Sequence, residues 1–309
     1  MPISLANGMR ILIALTAVLM AACAAPPVDR QPVHEPLAGN ANGVWWSEPT
    51  QVAIITDDTG NRLQSRANDG RMQALATLPP VLPSTPPRGP GLGQVVRDAD
   101  GRYLVTRFGF GSTGGVAYVD PRGSTDVVEG LSPTRRRIGL WPVRANTYVV
   151  SWFVQQEGQG EAARQGGVSL LTVDPKTTPL RGIEQDLVTG LDKPVGVAVR
   201  GNVLYIGDQA TRKIYTGDLA QLTAAPVRAE TLRVLAVADS DQFALGANGE
   251  LFTGGRDGAI RRITATGEVS VFARGFQSIR GVSFDAGHRR LFAVEYGKGS
   301  STLHVLPVD

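Results

Sequence analysis

Apolar residues in this chain come in short runs separated by glycine, asparagine and aspartate, with no sustained helical period. The stretch from Lys193 to Asp218 shows it best. Val195 to Val199, Val203 to Ile206 and Lys213 to Thr216 are three such runs, divided by Gly201-Asn202 and by Asp208 to Thr211. Branched and aromatic residues in runs of this length, broken by turn formers, predict antiparallel strands joined by hairpins.

The same grammar recurs six times. The first segment holds Asn42-Gly-Val-Trp-Trp, Gln51 to Asp57, Asn61 to Ser65 and Arg71 to Thr77. After the proline-rich connection Pro79 to Pro90, the second has Gly93 to Val96, Arg102 to Arg107, Gly115 to Asp120 and Thr125 to Val128. The third has Arg137 to Trp141, Thr147 to Trp152, Val168 to Asp174 and Asp186 to Val188, with a polar insertion from Gln155 to Gly167. The stretch around Lys193 to Asp218, closed by Glu230 to Ala236, is the fourth. Gln242 to Phe272 is the fifth, and Gly281 to Leu306 the sixth. Repeats of roughly 40–50 residues with four strands each predict an all-β fold, a six-bladed β-propeller of antiparallel blades. The sixth segment supplies only three strands before Asp309. Closure of the ring therefore requires an N-terminal strand, expected between Val28 and Trp46.

The N-terminus carries a different pattern. Arg10 precedes an apolar run from Ile11 to Met20 that is shorter than a membrane span, and Ala21-Ala22-Cys23 follows directly. This arrangement resembles the bacterial lipobox, with Met20 where that pattern prefers leucine. The resemblance implies cleavage before Cys23 and a lipid on its thiol. Cys23 is the single cysteine in 309 residues, so no disulfide competes for it. Residues 1–22 then form a signal peptide, residues 23–41 a proline-rich tether and residues 42–309 the propeller. The expected location is the cell envelope, lipid-anchored on the periplasmic face of the outer membrane, since Ala24 rather than aspartate follows the cysteine.

Composition adds exclusions. The chain is 42% hydrophobic with 37 glycines and a formal net charge of +3, ordinary for one globular β domain. Arg135-Arg136-Arg137 reads as a solvated loop, and no nucleic-acid motif accompanies it. His34, His288 and His304 lack metal-ligand spacing. Gly109 to Gly115 leads into a strand rather than a helix and is not a phosphate loop.

Gly196-Val-Ala-Val with Leu204-Tyr-Ile-Gly-Asp and Arg212-Lys-Ile-Tyr resembles the NHL-repeat sentence. Asn42-Gly-Val-Trp-Trp with Ile54-Ile-Thr-Asp and Asn61-Arg-Leu resembles the opening blade of gluconolactonase- and regucalcin-like propellers. That resemblance implies a divalent metal at one mouth of the channel, held by oxygen ligands at the starts of four first strands. Hard cations take several such oxygens. Here the four positions fall on Asn42, on Gly91-Leu92, on Val195 and on Asp241, and valine offers no donor. No metal is therefore expected. Were an ion held at all, its ligands are Asp241, Asn42 and Asp208, and calcium is the ion they suit.

The same mouth is expected to gather the ends of the second strands, Asp57, Arg107, Trp152, Asp208 and Glu295, with Gly255 in the fifth blade. The first-strand starts add Arg137 and Arg280. Alternating carboxylates and arginines suit either internal ion pairing or capture of a small polar ligand. Two functions follow. The first is a binding or scaffold lipoprotein whose partner is an envelope protein or a small polar ligand. The second is a lactonase-type hydrolase with an altered metal site. Val195 favours the first.

Overall fold

The predicted runs form 24 of the strands of six radially arranged sheets, and a further two-residue strand joins one of them. A computed structural model describes residues 31–81, 89–110, 112–155, 164–297 and 300–309, with Arg164 described by its backbone alone. The signal segment and Cys23, and most of the insertion in the third blade, lie outside the described residues.

Six first strands line the axis: Ala41–Ser47, Leu92–Arg97, Arg136–Arg144, Pro194–Arg200, Phe243–Leu245 and Ile279–Asp285. Each pairs antiparallel with a second strand, respectively Val52–Asp57, Tyr103–Arg107, Thr147–Gln155, Val203–Asp208, Leu251–Thr253 and Arg290–Gly297. The third-blade hairpin is longer than its sequence suggested. Its strands pair as far as Gln155 with Arg164, so part of the polar stretch is strand. The fourth blade carries an element that the pattern did not announce, a short helix Leu219–Ala224. Asp218 caps it by accepting from the Gln221 amide, and Leu219 and Leu222 are buried. The chain then adds Val227–Arg228 in parallel to the outer strand of the third blade, which covers that edge.

The ring closes through Val33–Leu37. This strand pairs antiparallel with Ser300–Pro307, from Val33 opposite Val305 to Leu37 opposite Ser301. It is also fixed to the first blade, where Glu35 accepts two hydrogen bonds from the guanidinium of the buried Arg66. The propeller thus begins upstream of residue 42, within the stretch expected to be tether.

The blades hold together in two ways. Apolar clusters fill every junction between neighbouring blades, for example Leu104, Val116, Leu140 and Leu171 between the second and third. Closer to the axis the contact is backbone to backbone. A Cβ on Gly43 would stand 2.3 Å from the Gly93 carbonyl oxygen, and one on Gly139 would stand 2.5 Å from that of Val195. Only glycine allows that approach. A small hydroxyl in the adjacent second strand completes the joint. Thr106 donates to the Ile138 carbonyl at 2.6 Å, and Ser151 donates to the Val195 carbonyl at 3.4 Å.

Candidate functional site at the axial mouth

Two contacts join non-neighbouring blades across the ring. Gln242 of the fifth blade donates from Nε2 to the Asn42 carbonyl of the first at 2.9 Å. Trp45 and Trp141 meet edge to face with ring centres 5.6 Å apart. The mouth holds a cavity of about 300 Å³. Among the residues that line it are Asn42, Gly91, Val195 and Asp241, at the four positions where the resemblance placed metal ligands, together with Arg280.

The second-strand ends behave differently. Asp57, Arg107, Trp152, Asp208 and Glu295 do not line the cavity, and neither does Arg137 at the start of a first strand. Asp57 accepts from Arg62, Gln64 and the Gly60 amide. Asp208 accepts the backbone amides of Asp192, Lys193 and Ala210 and so fixes a loop. Arg107 donates to the Pro79 carbonyl, and burial pushes its guanidinium down to about 10. Arg137 is fully buried and forms a paired fork with Glu184 at 2.7 and 2.8 Å. Trp152 donates to Ser169 and lies under the Arg135 guanidinium. Glu295 accepts from the Gln277 amide and sits 2.9 Å from Nε2 of His304.

The cause is the pleat. Side chains alternate across a strand, so a choice one residue early selects the opposite face. The residues that do line the cavity come one position later: Asp58, Phe108, Gln209 and Tyr296. Sequence reasoning missed them, along with Lys193 and Phe110. A signal was present. In three blades a small residue, Thr56, Thr106 or Gly207, packs tightly at the axial joint. The mouth residue stands two positions beyond it, on the same face.

Asp241 is the centre of the charged side. It is buried, with one oxygen accepting from Gln209 Nε2 at 3.0 Å and from Arg280 at 3.3 Å. The other oxygen lies 3.1 Å from the Gln242 amide. Arg256 donates to Gln209 from outside, and Arg280 lies 5.5 Å from the centre of the Tyr296 ring. Burial pushes the Asp241 carboxyl above its ordinary range, although Arg280, Lys193 and Arg256 all pull it back. Asp58, in the first blade, is also raised by burial, against the opposing hydrogen bonds of the Leu92 and Gly91 amides.

A divalent ion does not fit this donor set. The second position is a glycine and Val195 presents methyl groups, so of the four positions only Asn42, whose Nδ2 donates to the Leu92 carbonyl at 2.8 Å, and Asp241 carry a side-chain oxygen. Asp241 already faces cations, and Asp208 points away into its loop. Among the described residues, no three His, Cys, Asp or Glu side chains converge. Where the resemblance placed a metal, this mouth holds arginine and lysine.

Neither a protein-family profile nor a curated protein matches the chain. Solved structures do. A gluconolactonase from Xanthomonas campestris superposes with a TM-score of 0.62 at 16% identity, over 88% of either chain. Regucalcin from Agrobacterium tumefaciens, described as calcium-binding, gives 0.64 at 13% identity, over 89% of this chain and 96% of its own. A luciferin-regenerating enzyme gives 0.64 at 13%, over 89% and 95%. The fold is that of the gluconolactonase- and regucalcin-like six-bladed propellers.

Proposed function

We propose that the axial mouth is a small-molecule site that works without a divalent ion, and that it hydrolyses a small ester or lactone. The carrying observation is a buried carboxylate, Asp241, set beside Arg280 and Lys193 in a cavity of about 300 Å³. The likeness of fold to a gluconolactonase and a luciferin-regenerating enzyme supports the enzymatic reading.

In this reading Asp241 takes a proton from water as the water oxygen attacks the carbonyl carbon. Arg280 and Lys193 stabilise the negative charge that develops on the carbonyl oxygen, the task a metal ion performs elsewhere. The intermediate collapses, the C–O bond of the ester breaks, and the leaving alkoxide takes the proton back from Asp241. The products are an acid and an alcohol, joined in one molecule when the substrate is a lactone. A carboxyl raised by burial is closer to neutral pH and is the better base for it.

A second reading, binding without turnover, has its own support. Gln209, Arg280 and the Gln242 amide already occupy both Asp241 oxygens, an arrangement suited to holding an arginine in place. One experiment separates the two. A panel of aliphatic, aryl and sugar lactones and esters is assayed with and without chelator. Turnover that survives the chelator and is lost in Asp241→Asn is expected. Turnover that requires added calcium, zinc or manganese overturns the metal-free reading, and a silent panel leaves the binding reading.

We also propose that the protein is exported and anchored through Cys23, on the strength of the N-terminal pattern alone. Cys23→Ser should move it from the membrane fraction to the soluble fraction. A Ser variant that stays with the membrane after a salt wash contradicts the anchor.

A further inference from the structure

The six blades do not contribute equally to the mouth. In a six-membered ring the second blade stands opposite the fifth, and the third opposite the sixth. The second and third blades furnish Phe108, Phe110 and Ile138, and Val195 continues this wall into the fourth. Phe108 and Phe110 lie with ring centres 4.9 Å apart, and Phe153 supports Phe108 from behind at 5.5 Å. The side chains of this wall offer no hydrogen bond. Across the axis, the fifth and sixth blades place Asp241 and Arg280, while Lys193 and Gln209 of the fourth blade stand between the two walls, the Lys193 amine 5.9 Å from the centre of the Phe153 ring. One wall is apolar and the other is charged, and Asn42 and Asp58 of the first blade join them on the remaining side.

This inference rests on reading the mouth as a small-molecule site. We propose that its ligand has two ends: a carboxylate or ester carbonyl held between Arg280 and Lys193, and an apolar acyl or aryl arm lying on Phe108 and Phe110. A polyhydroxylated sugar acid fits poorly. It presents hydroxyls on every side, and those turned toward Phe108, Phe110 and Ile138 would give up water without finding a partner. An apolar arm in the same place removes aromatic and aliphatic surface from water on both sides. The cavity has room for about ten water-sized groups, which limits the arm to a single ring or a short chain.

The test compares ligands matched in charge and similar in size, 4-phenylbutyrate and gluconate, by calorimetric titration of the full-length protein. 4-Phenylbutyrate is expected to bind about tenfold or more tightly than gluconate, and 4-phenylbutanol, which lacks the charge, about tenfold more weakly than 4-phenylbutyrate. Phe110→Ala should weaken 4-phenylbutyrate about fivefold or more and leave gluconate unchanged, whereas Arg280→Gln should weaken both acids. The comparison of ligands on the unaltered protein requires no variant to fold. Gluconate binding as tight as 4-phenylbutyrate overturns the proposal, as does a Phe110→Ala protein that binds 4-phenylbutyrate normally, or the failure of 4-phenylbutyrate to bind at millimolar concentration. The hydrolase reading fails separately. Selective 4-phenylbutyrate binding with a silent ester panel removes catalysis and keeps the two-ended site. Sugar-lactone turnover indifferent to Phe110 does the reverse.

Discussion

Among the described residues, the charge cluster of the third blade and that of the axial mouth differ in what surrounds them. In the third blade Arg137 and Glu184 form a paired fork, Arg135 and Asp186 form another, and Ser169 ties Trp152 to Asp186. Cations and carboxylates balance, and every one of these side chains is committed to a neighbour. Burial would raise the Asp186 carboxyl, yet the hydrogen bonds from Arg135 and Ser169 outweigh it and hold Asp186 below its ordinary range. At the mouth, one buried carboxylate meets Arg280, Lys193 and Arg256, and burial wins. Residue type does not distinguish the two clusters. Access to open space does. A saturated network stabilises the fold, while one that opens on a cavity is a place for a ligand.

The largest effect expected from breaking this contrast is on the structural side. Arg137→Ala leaves Glu184 with one cation fewer and empties a fully buried site, so unfolding in urea should show a loss of about 3–5 kcal/mol. A loss below 1 kcal/mol would mean that the third-blade network is no more structural than the mouth. Asp241→Asn should act the other way. Turnover is expected to fall by about 10²–10⁴-fold, the range for removing a general base, with little change in the urea midpoint, because Arg280 is partly solvated. The pH profile carries the same message. Asp241 is an active base only when ionised, so activity should rise with pH along a limb that lies above the ordinary aspartate range. A flat acid limb argues against Asp241 as base.

Arg135→Gln sharpens the comparison at lower cost. Arg135 is partly exposed and its guanidinium sits 3.7 Å from the centre of the Trp152 ring. Its loss should destabilise by about 1–2 kcal/mol and shift tryptophan emission toward that of a hydrated ring. Ligand binding at the mouth should be unaffected.

The propeller was legible because strand, turn and repeat are local patterns. Gly196-Val-Ala-Val folds as the axial strand it resembles, and the shortage of one strand at the end foretold the Val33–Leu37 closure. Asn42, the Gly91 position, Val195 and Asp241 were also legible, because the start of a first strand follows from the repeat itself. The second-strand ends were not. Choosing Asp57, Arg107, Asp208 and Glu295 required knowing which face of the pleat turns to the axis, and counting from Thr56, Thr106 and Gly207 would have moved the first three choices to their neighbours. The pairing of Arg137 with Glu184 was out of reach, since 47 residues separate them and no pattern links the two. The Leu219–Ala224 helix is a single capped turn or so, too short for a periodic signal.

Between the two clusters lies a third arrangement, neither saturated nor open, and it produces the smallest effect. His304 is buried in the last strand with Nε2 at 2.9 Å from Glu295 and Nδ1 at 2.6 Å from Nδ1 of His34 on the closing strand. Phe276 packs on its ring at 4.6 Å. Burial lowers the His304 pKa from its ordinary 6.5, and His34 lowers it further, while Glu295 pulls it up without restoring it. The folded protein therefore holds fewer protons on this group than the unfolded chain. Stability is kept above the ordinary histidine range and declines as pH falls from 6.5 toward the lowered value. Only one proton can lie between the two facing Nδ1 atoms, so a second one breaks the contact that joins the closing strand to the sixth blade. His304→Gln removes the titration and keeps a donor for Glu295. Its midpoint in urea should fall slightly at neutral pH and vary less than that of the unaltered protein between pH 7 and pH 5. A variant whose acid slope matches the parent's would show that His304 does not set it, and that closure depends on the strand pairing and on Glu35 with Arg66 alone.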